Sequence, residues 1–148
     1  MIVLVLTVML TLGLVSPAQA ASTALQDARE LRTSVSALMT NYERNYSDRL
    51  TSSDQATLKA VRLKANRQLT QLLTDIRRAE RTNKRSDWLR AQQTHAQASS
   101  EAELGLEQAR TILEPRLGLA EKLTAFSDYS TKMEQFRSLG LRLQAQGR

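Results

Sequence analysis

Apolar residues over positions 22–50 recur in steps of three and four: Leu25, Ala28, Leu31, Val35, Leu38, Tyr42 and Tyr46. That spacing puts them on one face of a helix, with Arg29, Arg32, Glu43 and Arg44 elsewhere on its surface. Thr51-Ser52-Ser53-Asp54 interrupts the pattern and predicts a restart, with a serine as the N-cap. Over 53–81 the stripe Leu58, Val61, Ala65, Leu69, Leu72, Ile76 and Ala79 is the most heptad-like in the chain. The polar run from Arg81 to Asp87 marks a turn, with Ser86 as the expected cap of a third helix over 86–114. Its stripe reads Trp88, Gln92, His95, Ser99, Ala102, Leu106, Ala109 and Leu113, small and polar in the middle. Pro115 and Gly118 separate it from a fourth stretch over 118–139. That stretch carries Leu119, Leu123, Phe126, Tyr129 or Ser130, Met133 and Phe136, with Leu139-Gly140 as its expected stop.

Four amphipathic helices joined by short turns run antiparallel to their neighbours, which predicts an all-α, up-down-up-down four-helix bundle. The competing arrangement is a set of elongated helical hairpins that completes its core by dimerising, a homodimer. One-sided stripes favour the closed monomer.

The first twenty residues bear on compartment. Met1 to Val15 is apolar and uncharged, Ser16-Pro17 breaks the run, and Ala18-Gln19-Ala20 has the small-x-small form of a signal peptidase site. A helix of about 15 residues spans roughly 22 Å, short of a hydrocarbon core of about 30 Å. The expectation is a signal peptide, 1–20, cleaved after Ala20, and an exported protein, periplasmic or secreted. No Lys or Arg precedes the run, so retention as an anchor is the alternative. The remaining residues, 21–148, suffice for a single helical domain. The chain has no cysteine, so neither a disulfide nor a lipidated cysteine is available, and with six aromatic residues its core rests on Leu, Ala, Val and Ile.

The net charge of +6 is concentrated. Between Lys59 and Arg90 ten basic residues face three acidic ones. Lys64 and Arg67 fall opposite Glu101, Glu103 and Glu107 across the second hairpin, where exposed pairs contribute a few tenths of a kcal/mol each. The hairpin tip is less balanced: Arg77, Arg78, Arg81, Lys84, Arg85 and Arg90 have only Glu80 and Asp87 nearby, and Trp88 stands beside them. A basic tip with an aromatic suits an acidic protein face, an anionic lipid or an envelope polymer. Nucleic acid fits poorly, because no recognised binding motif is present.

Catalytic chemistry is sparse. There is no cysteine nucleophile, no Gly-rich phosphate loop and no G-x-S-x-G elbow. His95 is the single histidine, and Glu103 and Glu107 align on a helix face that Glu101 does not share. A remote alternative is a b-type haem bundle, with His95 and either Met39 or Met133 as axial ligands. These features make the chain similar in general type, without a shared motif, to the small basic helical chaperones of the bacterial envelope. The reading is a non-enzymatic interaction protein without a cofactor: an adaptor or chaperone-like subunit of a cell-envelope assembly with a protein partner. Its alternative is a peripheral binder of anionic lipid or polymer through the tip at 77–90.

Overall fold

The computed structural model describes the backbone from Pro17 and the side chains from Thr23 to Arg148. The expected signal segment therefore lies largely outside the described residues. Five α-helices follow in order: α1 (Pro17–Asn45), α2 (Ser52–Thr82), α3 (Arg85–Leu113), α4 (Leu119–Phe126) and α5 (Tyr129–Gln146). Single 3-10 turns, Ser47–Arg49 and Glu114–Arg116, fill two of the connections. α1 packs on α2, α2 on α3, α3 on α5, and α5 returns to α1, so the four-helix bundle closes within one chain.

The caps set the helix boundaries. Thr51, not a serine, caps α2: its hydroxyl accepts the Asp54 N–H at 3.1 Å, and the Asp54 carboxylate accepts the Thr51 N–H at 3.0 Å. Arg116 donates to the same Asp54 carboxylate at 2.7 Å, tying the α1–α2 connection to the α3–α4 connection. Arg49 and Glu121 make a second tie at 2.8 Å. With the Gly118 N–H also donating to it, the Glu121 carboxyl is held down at about 2. α2 ends at Asn83, which takes the left-handed conformation (φ 48°) that asparagine tolerates better than most residues. α3 starts at Arg85, so Ser86 is already helical and is not the cap.

The stripes of α1 and α2 form the core much as their spacing predicts. α3 differs by a small rotation. Its buried line is Trp88, Ala91, Thr94, Ala98, Ala102, Gly105, Leu106, Ala109 and Leu113, while Gln92, His95 and Ser99 lie half-buried along its edge. Small residues there allow close approach. A Cβ placed on Gly105 would lie 2.6 Å from Val61 Cγ1 of α2 and 3.2 Å from Met39 Cε of α1, so three helices meet at one glycine.

The last expected helix is two. A break at Ser127-Asp128 separates α4 from α5, and α5 runs through Gly140 to Gln146 instead of stopping at 139–140. Leu119 and Leu123 do not join the core, at 77% and 69% exposed. Tyr42 anchors the break. Its hydroxyl donates to the Ala125 carbonyl at 2.8 Å, its ring meets Phe126 edge-on, and burial pushes its pKa up to about 12.

Replacing Gly105 with alanine improves intrinsic helix propensity by about 1 kcal/mol. It also forces a methyl into the β-branched Val61, and overpacking of this kind costs about 1–3 kcal/mol. Gly105→Ala is therefore expected to lower the urea midpoint, and adding Val61→Ala to relieve the clash; a stabilised single variant would refute the close approach.

Candidate functional site

The basic tip belongs to a larger end surface. Because α1 runs antiparallel to α2, its start lies beside the α2–α3 turn. Arg29 of α1 sits close enough to Glu80 to lower that carboxyl's pKa against the dominant effect of desolvation, as does Arg77. The end of α5 joins from the other side, where Arg85 Nε donates to the Gly147 carbonyl at 3.1 Å. Four segments thus converge: the start of α1, the end of α2, the start of α3 and the end of α5.

Not all of the tip's charge is open. Arg78 pairs with Asp87 at 3.1 Å and Arg90 lies 3.5 Å from Asp75. Asp87 also accepts from Thr82 at 2.5 Å, and that hydrogen bond, with Arg78, Lys84 and Arg90 around it, holds its carboxyl below the usual range. Asp75 is a buried acid that the apolar stripe of α2 concealed. It accepts from Thr94 at 2.7 Å and Gln71 at 3.1 Å, filling the polar middle of the α2–α3 interface. Arg81 and Lys84 form no ion pair among the described residues, Arg85 is bonded only to a neutral carbonyl, and Arg77 shares Glu80 with Arg29. Six tip cations of α2 and α3 and their turn therefore face three carboxylates, a net +3, and α1 adds Arg29 together with Glu30.

Trp88 requires a correction. It is 2% exposed and sits in the core, so it presents no aromatic surface beside the arginines. It occupied the inward stripe of α3 as well as the tip, and burial of its large apolar surface takes precedence.

His95 serves the α3–α5 contact. Its Nε2 lies 2.7 Å from the Phe136 carbonyl, which can only accept, so Nε2 carries the proton. Gly140 lies under the imidazole: a Cβ there would be 2.8 Å from the ring's Cε1. Gln92 donates to the Leu143 carbonyl at 3.0 Å. With Arg85, three α3 side chains grip α5 by its backbone. The haem arrangement is not brought together with Met39. That residue meets Gly105, ten residues from His95 along α3, or roughly 15 Å of rise. Met133 packs partly buried against the core.

Of the pairs expected between Lys64 or Arg67 and Glu101, Glu103 or Glu107, the one that forms among the described residues is Lys64–Glu101, at 2.8 Å. Glu103 and Glu107 are exposed and help to raise the Tyr129 pKa, after desolvation. Among the described residues no cluster of three or more metal-ligating side chains occurs, and no helix is long and apolar enough to cross a membrane. No protein-family model, curated protein or solved structure matches the chain.

Burial lowers the His95 pKa, partly opposed by its bond to Phe136. The unfolded chain therefore binds this proton more readily, and its contribution to stability, full above the unfolded value of about 6.5, is lost as pH falls through the folded value. His95→Gln retains a donor for Phe136 without titrating. Denaturation midpoints measured from pH 8 to pH 5 are expected to fall less in this variant than in the parent; parallel curves would show that His95 does not carry the effect.

Proposed function

We propose that the protein is a non-enzymatic interaction subunit of a cell-envelope assembly, adaptor or chaperone-like, held in that assembly through its basic end. The observation that carries this reading is the convergence of four chain segments on one end where six cations of α2, α3 and their turn outnumber the carboxylates by three. The rest of the bundle supports it indirectly. Polar side chains between the helices are occupied in packing: His95 and Gln92 hold α5, and Asp75 and Thr94 join α2 to α3. Export through residues 1–20 supplies the compartment in this reading, and arginine-rich ends suit acidic surfaces there.

Arg78 is committed to Asp87, so Arg77, Arg81 and Lys84 are the cations to remove. The Arg77→Gln/Arg81→Gln/Lys84→Gln variant is expected to leave the envelope fraction on sedimentation of lysed cells, while its circular dichroism spectrum matches the parent. A variant that still sediments with the envelope would refute the basic end as the contact surface.

A further inference from the structure

We infer that the partner of the basic end is the anionic face of a lipid bilayer, on which the bundle stands end-on. This rests on the reading of that end as the contact surface and names what it contacts.

Two observations point to lipid. The first is distribution. Arg29, Arg77, Arg81, Lys84 and Arg85 come from α1, α2, the α2–α3 turn and the start of α3, spread across the end instead of gathered in one pocket. Arg77 precedes the last residue of α2 by five positions, or about 8 Å of rise, so long side chains from the last turns reach the level of the turn. A laterally uniform anionic surface engages such a spread, at about 1 kcal/mol per basic residue near it.

The second is what the end lacks. Anchors of protein–protein interfaces are enriched in Trp, Tyr and Arg seated in desolvated pockets. The one aromatic residue near this end, Trp88, is withdrawn into the core. Leu89, 44% exposed at the start of α3, and Leu141, 60% exposed toward the end of α5, are exposed large apolar side chains of the converging segments. Diffuse charge with scattered leucines suits headgroups better than a shaped protein face.

The test is flotation of the full chain with phosphatidylcholine vesicles, with and without phosphatidylglycerol. The difference between the two vesicle types reads the contribution of charge. The preference for anionic vesicles is expected to be strong and to decline with added salt. Arg77→Gln/Arg81→Gln/Lys84→Gln should reduce it by about 100-fold. Arg32→Gln/Lys59→Gln/Arg67→Gln, which removes the same charge elsewhere, should retain most of it. No anionic preference in the parent, or equal loss in the two variants, overturns the lipid assignment. If the first variant leaves the envelope fraction while the parent ignores anionic vesicles, the contact surface stands and lipid is the wrong partner.

Discussion

The close approach of α3 to its neighbours is the constraint on which the rest of the bundle depends. Ala91, Ala98, Ala102, Gly105 and Ala109 give α3 a smooth buried line, and Gly105 admits Val61 and Met39 to within contact of its backbone. With α3 so near α2, Asp75 reaches Thr94, and a buried carboxylate finds the partners it needs in a low-dielectric interior. A larger side chain on this line would open the α2–α3 gap and leave those polar groups exposed to each other's loss.

On its other flank α3 does something different. His95, Gln92 and Arg85 reach across to carbonyl oxygens of α5, at Phe136, Leu143 and Gly147. These bonds read the backbone of α5, so the side-chain requirement moves to what lies beneath them. Gly140 is needed under the imidazole, which explains a glycine inside a helix where it otherwise weakens helical propensity. Phe136, Leu139 and Leu143 supply the apolar part of the same contact. The seat of α5 then lets Arg142 reach Asp27 of α1 at 3.0 Å, closing the bundle and bringing the end of the chain to the basic end.

Much of this was legible in the spacing of apolar residues. The stripes of α1 and α2 are one-sided and uninterrupted, so their buried faces follow directly. α3 was harder, because alanine, threonine and glycine carry a weak hydrophobic signal; the half-buried Gln92, His95 and Ser99 looked equally inward. Gly140 read as a stop because a glycine under a side chain from another helix has no local signature. Leu119 and Leu123 read as core, but the 3-10 turn at Glu114–Arg116 and the break after Phe126 turn α4 so that both face outward. At the candidate site, the arginines and lysine were plain in the charge pattern. Arg29 was not, since only the antiparallel return of α1 beside α2 brings it there, and Trp88 was assigned to two environments of which the core prevails.

The measurement that tests the central claim most directly exploits the absence of cysteine. Asp27→Cys and Arg142→Cys, introduced together, replace the pair that joins α1 to α5. A short bis-maleimide added to dilute protein should link them within one chain, giving a compact monomer on denaturing gels in high yield. Linkage mainly between chains, or none, would show that α5 does not close against α1 and that the core is completed by a second copy.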